Sequence, residues 1–400
     1  MVSWYRVNLK CCCYLSLLNR LYLRLIHFSL LTIHEQYMNR CLELAKLGSG
    51  NTAPNPMVGA VMVHNGHIIG EGYHQQYGKE HAEVNCIASV AETNRELIAQ
   101  STLYVSLEPC AHFGKTPPCA DLIIKNKIPK VVIGCSDPFK EVDGKGIEKL
   151  MTAGIKVETG IMENECMDLN KRFFTFHTKH RPYIILKWAE TADGFIAPVN
   201  PPQGGTFQHS DNGKAVHDRL LISNEYSNRL VHKWRSEETA ILVGTNTALM
   251  DDPELTTRFW PGHSPVRLVL DMNLRLPAYL KIFNREVRTI IFNSIKEEEE
   301  NGLHYYRLKK DAVVICQLMD ALYGLNIQSV FVEGGSKMLQ SFIDAADWDE
   351  ARVITNQQLR LNIDQNGDQA LKAPLLANAT LMEDLKLENN EIKIFKPKGR

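Results

Sequence analysis

Three residues that can bind a metal ion lie in one short part of the chain, with a carboxylate beside one of them. His81 and Glu83 belong to the segment His-Ala-Glu, Cys110 follows Glu-Pro, and Cys119 follows Pro-Pro. One imidazole and two thiolates occupy three corners of a tetrahedral zinc site and leave the fourth for water, as in a catalytic site. Zinc lowers the pKa of such a water to near neutrality. Glu83 lies close enough to His81 to move protons at that water without itself binding the metal.

The order of these residues favours a catalytic zinc site. A His-x-Glu motif followed by Pro-Cys and a later cysteine is typical of zinc-dependent base deaminases, whereas a lone cysteine is more often an inert core residue. A closed structural site needs a fourth ligand, and the nearby candidates, His112 and Cys86, have no obvious ligand spacing. A zinc-stabilised scaffold without activity is less favoured, because it has no use for the carboxylate of Glu83.

Composition argues against several classes of function. The chain has 400 residues, which suggests two or three domains. Its 45 Lys and Arg nearly balance 46 Asp and Glu, so it has no strong field to attract nucleic acid or an anionic membrane. The ten cysteines do not suggest a disulfide framework, because several lie in predicted strands or beside the zinc motif. Reduced cysteines and a metal site favour the cytoplasm.

The first 33 residues differ from the rest of the chain. They contain four basic residues, no acidic residue and two apolar runs. Charges interrupt these runs well short of the roughly 20 residues that a membrane span needs, and no clear cleavage site for a signal peptide follows them. We therefore expect residues 1–33 to be an N-terminal extension, poorly ordered or appended, with the patterning of the fold beginning near His34.

The zinc motif is predicted to lie at the starts of two helices in a layered α/β domain, residues 34–180. Strand and helix signals alternate through this region, and a polar stretch that ends at Pro182 marks its boundary. His81 and Glu83 fall in the first turn of one predicted helix, and Cys110 is predicted to open a second. Helix N-termini favour a bound anion such as hydroxide, because their backbone amides are free.

Asn55 is a candidate substrate-binding residue of this domain. It lies between Pro54 and Pro56 in a rigid turn, so its amide could contact the edge of a ring. An ordinary turn explains the same residues equally well from their spacing.

The second half, residues 181–400, also alternates strands and helices and contains one glycine-rich turn between a strand and a helix. This turn, Glu333-Gly334-Gly335, would let the backbone approach a phosphate, although any tight turn can use glycine. The Gly-x-Gly-x-x-Gly fingerprint of Rossmann folds is absent from the sequence. Arg235 and Arg258 are candidate phosphate ligands. Residues 200–215 are predicted to be a loop, and the acidic run 297–300 a solvated turn.

These motifs resemble the family of bifunctional pyrimidine deaminase/reductases of riboflavin biosynthesis. The deaminase half of that family is similar to segments 54–60, 78–83, 107–119 and 143–146. The long gap between Cys110 and Cys119 is discriminating, because cytidine and tRNA adenosine deaminases typically have Pro-Cys-x-x-Cys. The family's reductase half is similar to segments 186–187, 193–194, 240–244, 251–253, 268–271 and 332–335. The resemblance covers roughly residues 36 to 350 and does not include the first 33.

The resemblance implies an α/β fold in two domains. The N-terminal domain would be a cytidine-deaminase-like three-layer domain, and the C-terminal domain would have a dihydrofolate-reductase-like fold. The chain departs from the family's pattern in two places. The common Lys-x-Ala-x-Ser-Leu-Asp-Gly reads Lys-Trp-Ala-Glu-Thr-Ala-Asp-Gly at residues 187–194, and the usual Gly-Glu-Ser-x-Trp-Ile-Thr is reduced to Leu-Ile-Ser at residues 221–223.

The resemblance also implies residue roles. One zinc ion per chain would be bound by His81, Cys110 and Cys119, with Glu83 as the proton shuttle. Contacts with NADPH would fall on Ala189, Thr247, Asp251 and Gly335. Contacts with the phosphoribosyl substrate would fall on Arg235, Leu255, Arg258 and Glu333.

The implied function is a pair of successive reactions on a diaminopyrimidinone that carries a phosphoribosylamino group. The first would deaminate the ring to a uracil, and the second would reduce the ribosyl chain to a ribityl chain with NADPH. We therefore expect a small-molecule substrate, no nucleic-acid or membrane partner, and a homo-oligomer. The alternative is a deaminase of nucleic acid or of a free nucleoside, with the second half as a binding module, although the balanced charge counts against it.

Overall fold

The structure, a computed structural model, describes residues 31–113, 117–139, 142–198, 221–361 and 370–399. Most of the expected N-terminal extension and the predicted loop at 200–215 therefore lie outside the described residues. The chain divides into two compact units, residues 1–170 and 171–400. The boundary predicted from the sequence lies between residues 180 and 181. The helix Lys171–Lys179, which lies between the two positions, groups by its contacts with the second unit. Among the described residues, no helix has the length and apolar character to cross a membrane.

In its described residues, the first unit is a five-stranded sheet with five helices. Its helices are α1 Ile33–Lys46, α2 Ala82–Ala88, α3 Cys119–Lys125, α4 Lys145–Thr152 and α5 Glu163–Leu169, with a 3₁₀ helix at Glu92–Gln100. Its strands are β1 Gly59–His64, β2 His67–Tyr73, β3 Thr102–Leu107, β4 Lys130–Cys135 and β5 Lys156–Thr159. The strand order is β2-β1-β3-β4-β5. Strand β1 is antiparallel to β2 and β3, and the pairs β3–β4 and β4–β5 are parallel.

Helices cover both faces of this sheet, which makes three layers. Ala60 and Met62 of β1 pack in a buried cluster with residues of α2, α3 and α4. On the opposite face, a Cβ on Gly134 would meet the sulfur atoms of Met38 in α1 and Cys166 in α5. Because successive strand residues face opposite sides, two helical layers bury both faces.

Two local sequence signals between α1 and β2 agree with the structure. Thr32 and Glu35 form a capping box at the start of α1. The dipeptide Asn65-Gly66 is a hairpin signal in the sequence. Both residues have positive φ, as the two-residue turn requires, and β1 and β2 pair antiparallel on either side of it.

As far as its residues are described, the second unit is built on a ten-stranded, mostly parallel sheet. Its helices are α6 Lys171–Lys179, α7 Glu225–Glu237, α8 Thr245–Asp251, α9 Val314–Gly324 and α10 Ser336–Asp344, with a 3₁₀ helix at Lys281–Phe283. Its strands are β6 Tyr183–Thr191, β7 Phe195–Pro198, β8 Ala240–Gly244, β9 Val266–Leu270, β10 Thr289–Asn293, β11 Glu298–Glu300, β12 Leu303–Arg307, β13 Ser329–Val332, β14 Glu350–Asn356, β15 Ala370–Lys372, β16 Ala379–Leu387 and β17 Asn390–Pro397. The sheet order is β11-β12-β10-β9-β8-β13-β6-β14-β17-β16, and β15 pairs separately with β7.

The centre of this sheet is parallel and buried on both faces. Strand β13 lies between β6 and β8 and is parallel to both, and alternate residues of β6 belong to two different buried clusters. The carboxyl ends of β6, β8 and β13 therefore lie side by side, where ligands bind in open α/β sheets. The acidic run predicted as a solvated turn is exposed but forms β11, because residues 298–300 pair antiparallel with β12.

Candidate active sites

The first unit brings the three predicted metal ligands together, although not all on the elements that the sequence suggests. His81 is the N-cap residue of α2, and Cys119 is the first residue of α3. The prediction that Cys110 opens a helix is wrong, because the next helix begins only at Cys119. Pro117 and Pro118 separate the two cysteines, and proline disfavours a helix that continues through it. Cys110 lies instead in irregular backbone after β3.

The donor atoms have the spacing of a zinc site. His81 Nδ1 is 3.7 Å from Cys110 Sγ and 3.4 Å from Cys119 Sγ, and all three donor atoms lie within 4.8 Å of one another. A tetrahedral zinc with ordinary Zn–N and Zn–S bonds holds such donors about 3.6 Å apart. The residues therefore fit the metal without rearrangement. His112 and Cys86 belong to no donor group within the described ranges, so the closed four-ligand alternative gains no support.

Hydrogen bonds favour the thiolate form of Cys110. The Cys119 thiol and the ring of His81 both bond to Cys110 and lower its pKa, and the backbone N–H of Cys119 donates to Cys110 Sγ over 3.4 Å. A ligand cysteine must be a thiolate to bind zinc. Part of the charge that zinc binding needs is thus already stabilised by the protein.

Glu83 lies in the first turn of α2 and is 3% exposed. Burial raises the pKa of its carboxyl, and the charge of Cys110 adds to this effect. The same carboxyl interacts with the thiol of Cys119, which places it beside the donor group. A buried carboxyl with a raised pKa, next to an open metal position, is suited to accept and return a proton.

Glu108 is a residue of this site that the sequence interpretation missed. It is 4% exposed, and its carboxylate accepts four backbone N–H groups, those of Asp137, Gly144, Gly146 and Ile147, over 2.9 to 3.3 Å. These donors belong to the segment between β4 and the first turn of α4. Its position two residues before Cys110 was the available signal. Glu108 connects the ligand segment to the N-terminus of α4.

Asn55 is close to the metal-binding group through an intervening histidine. Its Nδ2 atom is 3.1 Å from Nε2 of His74, and the rings of His74 and His81 are in edge contact, with centroids 5.4 Å apart. The expectation that Asn55 contacts a substrate stays a prediction, and its position is compatible with that role.

In the second unit, Arg235 and Glu333, which the resemblance implies as substrate contacts, form one charged cluster with Lys187 of β6. Arg235 of α7 binds the Glu333 carboxylate through Nε and Nη2, at 2.6 and 2.9 Å, and Lys187 Nζ lies 3.6 Å from Glu333 Oε2. Burial opposes ionisation of Glu333, but the charges of Arg235 and Lys187 outweigh it and lower its pKa to about 2. Burial lowers the pKa of Lys187. Lys187 lies in a segment similar to the family's reductase half, but no motif suggested a role for it.

Two of the residues implied for the nicotinamide cofactor adjoin one another. Thr247 is in the first turn of α8, after β8, and Gly335 is the N-cap of α10, after β13. A Cβ on Gly335 would lie 3.5 Å from the Thr247 hydroxyl, so the two helix starts face a common space. Helix N-termini offer free N–H groups to phosphates. Ala189 lies on the adjacent strand β6, and Asp251 at the far end of α8.

The remaining implied substrate residues differ in accessibility. Leu255 is 2% exposed and packs in the core, so any contact of this residue with a substrate would be through its backbone. The Arg258 side chain is 48% exposed and pairs with Glu254 over 3.0 Å. Arg258 is thus more available to a phosphate than Arg235, whose guanidinium is held by Glu333.

Both units match families of known proteins. Residues 31–135 match the family model for the zinc-binding region of cytidine and deoxycytidylate deaminases, and residues 182–356 match the model of the RibD C-terminal domain. The riboflavin biosynthesis protein RibD of Aquifex aeolicus is 39% identical over 88% of this chain and 96% of its own length. The chain belongs to the RibD family. The Escherichia coli RibD is 33% identical over 81% of this chain and 88% of its own length.

Solved structures confirm the fold expected from the sequence. A Thermotoga maritima protein described as a diaminohydroxyphosphoribosylaminopyrimidine deaminase and 5-amino-6-(5-phosphoribosylamino)uracil reductase has a TM-score of 0.76 and 33% identity, covering 93% of this chain and 99% of that one. A RibD from Acinetobacter baumannii has a TM-score of 0.76 and 27% identity, covering 92% and 99%. The chain is therefore a bifunctional enzyme of riboflavin biosynthesis, with a cytidine-deaminase-like domain followed by a dihydrofolate-reductase-like domain.

Proposed function

We propose that the first unit deaminates a diaminopyrimidinone carrying a phosphoribosylamino group, and that the second reduces the ribosyl chain of the product with NADPH. The observation that carries the first half is the group formed by His81, Cys110 and Cys119 with the buried carboxyl of Glu83 beside it. The description of the Thermotoga maritima relative supports the choice of substrate.

Zinc is the metal that this donor set fits. His81, Cys110 and Cys119 would bind one ion per chain and leave one position open, since two thiolates and one imidazole at these separations match its tetrahedral geometry. When bound, zinc would supply a water of lowered pKa for hydrolysis. Thiolate ligands persist where cysteines stay reduced, and we propose the cytoplasm as the location.

Glu83 would carry the protons of the first reaction. Its carboxylate accepts a proton from the attacking water as the new C–O bond forms at the ring carbon that carries the amino group. It gives that proton to the ring nitrogen, then accepts the second proton from the newly added hydroxyl group and delivers it to the departing amino nitrogen. The carbonyl forms as the C–N bond breaks, so that ammonia and a uracil ring result. Burial favours this exchange, because a carboxyl with a raised pKa gives up its proton less readily to bulk solvent and holds it for the reacting atoms.

In the second unit, the charged cluster would orient the phosphoribosyl group. Lys187 and Glu333 lie side by side and can hydrogen-bond the hydroxyl groups of the sugar, and the exposed guanidinium of Arg258 can bind its phosphate. Thr247 and Gly335 would bind NADPH with the free N–H groups of their helix starts. The cofactor would supply hydride to the sugar carbon of the ring-opened imine.

The chain is also proposed to form a homo-oligomer through the sheet of the second unit. Strand β16 is the last strand of that sheet in the described part of the chain, and Leu381 and Met382 on it are 47% and 54% exposed. An exposed edge strand with apolar side chains favours pairing with another chain. Light scattering coupled to size-exclusion chromatography tests this, and a monomer at micromolar concentration would contradict it.

Metal analysis and a coupled assay test the proposed function. The purified protein is supplied with the diaminopyrimidinone phosphoribosylamine, and ammonia and NADPH are followed together. We expect about one zinc per chain, ammonia release without NADPH, and NADPH oxidation only after deamination. Ammonia from a free nucleoside, with none from this substrate, would overturn the proposal. Ammonia without NADPH oxidation would overturn its second half.

A further inference from the structure

His74 is a buried histidine that links Asn55 to the metal-binding group. The mechanism above assigns it no role. His74 is 2% exposed. Its Nε2 atom is 3.1 Å from Asn55 Nδ2, and its Nδ1 atom is 2.9 Å from the carbonyl oxygen of Glu80, the residue before the ligand His81. Both ring nitrogens are therefore used in specific contacts.

The partner of Nδ1 fixes the orientation of the Asn55 amide. A carbonyl oxygen only accepts hydrogen bonds, so Nδ1 of His74 carries the proton and Nε2 of the neutral ring is an acceptor. The group of Asn55 that faces Nε2 must then be the donor, its NH₂ group. The oxygen Oδ1 therefore points away from His74, and within the described ranges it accepts no hydrogen bond from the protein. A half-buried carbonyl, one histidine ring away from the ligand His81, is left available to a ligand.

We propose that His74 is a positioning residue of the deaminase site, which holds the Asn55 amide so that Oδ1 accepts an N–H group of the pyrimidine ring. This inference rests on the proposed deamination. Without the acceptor on His74, the amide can rotate and present its NH₂ group to the ring N–H, where two donors oppose one another. His74 thus acts on the substrate through Asn55 and does not touch the reacting atoms.

The competing explanation is that His74 has a purely structural role, through its Nδ1 atom rather than Nε2. The Glu80 carbonyl also accepts from Nδ2 of Asn85, over 3.4 Å, so the bond from His74 Nδ1 could serve only to hold the segment before His81. Two amide substitutions separate these roles. His74→Gln keeps an acceptor near the Nε2 position for Asn55, whereas His74→Asn keeps a donor near the Nδ1 position for Glu80.

Steady-state ammonia release by the full-length wild-type protein, H74Q and H74N tests the proposal. We expect H74N to lower kcat/KM by roughly 10- to 100-fold and H74Q by about threefold or less, because an unmatched polar group in a binding site costs more than a retained bond. The loss should appear mainly as a raised KM, since the bond is made in both the bound and the transition state. In an Asn55→Ala background the two variants should differ little.

Zinc content and NADPH oxidation with the deaminated intermediate are measured on the same samples. Both should match the wild type, because the proposal assigns His74 no part in metal binding or in the second unit. The proposal would be overturned if H74N were more active than H74Q, or if either variant lost zinc. It would also be overturned if the difference in kcat/KM between H74Q and H74N were as large in the Asn55→Ala background as in the wild type. A wild-type protein that releases no ammonia would overturn the proposed deamination instead, which keeps the two failures distinct.

Discussion

The backbone of Gly146 lies against the carbonyl group of Pro109, the residue before the ligand Cys110. A Cβ atom on residue 146 would be 2.0 Å from that oxygen. Glu108 reinforces this approach, because its Oε1 atom accepts from Gly146 N over 2.9 Å and its Oε2 atom from Gly144 N over 3.1 Å. Cys110 has no helix of its own, and the start of α4 helps to hold its segment in place, together with the backbone N–H groups of Cys119 and Ala120 at the start of α3.

Gly146→Ala is therefore expected to disturb both stability and metal binding. The added methyl group has no space, and overpacking of this kind typically costs about 1–3 kcal/mol. Thermal unfolding and zinc content are the measurements. Gly324→Ala at the end of α9 is the matched control, because a Cβ there meets no atom within 4 Å. A G146A protein that melts like the wild type and retains zinc would show that the close approach does not matter.

Glu83→Gln is expected to abolish ammonia release and to spare reduction of the deaminated intermediate. The amide has nearly the shape of the carboxyl but cannot accept the proton of the attacking water. Zinc content should be unchanged, since Glu83 is not one of the three donors. Glu80→Gln is the control, because this side chain is exposed and lies in the same segment. Ammonia release that survives in E83Q would remove Glu83 from its proposed role.

The metal-binding group could be predicted from sequence because the types and order of its residues identify it, although His81 lies 29 and 38 residues from the two cysteines. The residue types of His81, Cys110 and Cys119 limit the chemistry, and the donor atoms meet as a zinc site needs. The backbone that supports Cys110 could not be predicted, because Glu108 acts on residues that follow a separate strand. The sequence does not show from which distant backbone N–H groups a carboxylate next to a motif accepts hydrogen bonds.

Helix limits show the same dependence on distant contacts. Periodicity predicts one helix from Glu163 to Phe174, but the structure divides it between α5 and α6 at Asn170. The Asn170 side chain bonds to the backbone N–H and C=O of Met57, over 2.8 and 2.9 Å. Similarly, a serine cap is predicted for α7 at Ser223, whereas Asn224 is the cap and also bonds to Leu387 and Asn389 near the C-terminus.

Glu333→Gln is expected to stop reduction while ammonia release continues. The substitution leaves the positive charges of Arg235 and Lys187 without a counter-charge, and breaking a buried ion pair in this way costs on the order of 3–5 kcal/mol. Activity is followed by NADPH oxidation and stability by thermal unfolding. An E333Q protein that reduces the intermediate at the wild-type rate would contradict the role of the cluster.

The pH dependence of that destabilisation has a defined sign. The folded-state pKa of Glu333 is depressed to about 2, so its contribution is present above the unfolded value of 4.5 and is lost only as the pH falls through about 2. The difference between E333Q and the wild type should thus persist from pH 7 down to about pH 5. Glu298→Gln, which removes an exposed pair with Lys296, should change stability by less than about 1 kcal/mol.

Asp137→Asn is expected to stabilise the protein at alkaline pH and to have little effect at acidic pH. Burial raises the pKa of Asp137 from 3.8 to about 7, with the nearby Glu108 adding to the effect, although the N–H of Phe139 donates to Oδ1 over 2.8 Å. Because the folded-state pKa is raised, the proton contributes stability that is complete below 3.8 and is lost as the pH rises through about 7. Asparagine keeps the acceptor for Phe139 and never ionises.

The melting-temperature difference between D137N and the wild type should therefore grow between about pH 5 and pH 8, by an amount on the order of a few kcal/mol when converted to free energy. Asp121→Asn is the control, because that carboxylate is partly exposed and pairs with Lys149 at the surface, so its substitution should change stability by less than about 1 kcal/mol. A difference for D137N that stays constant across this range would mean that Asp137 is already ionised in the folded protein at pH 5. The ionised carboxylate would then need a stabilising contact in addition to the N–H of Phe139. A zinc ion bound at the nearby cysteines could supply it, and repeating the measurement after removing zinc with a chelator would test this.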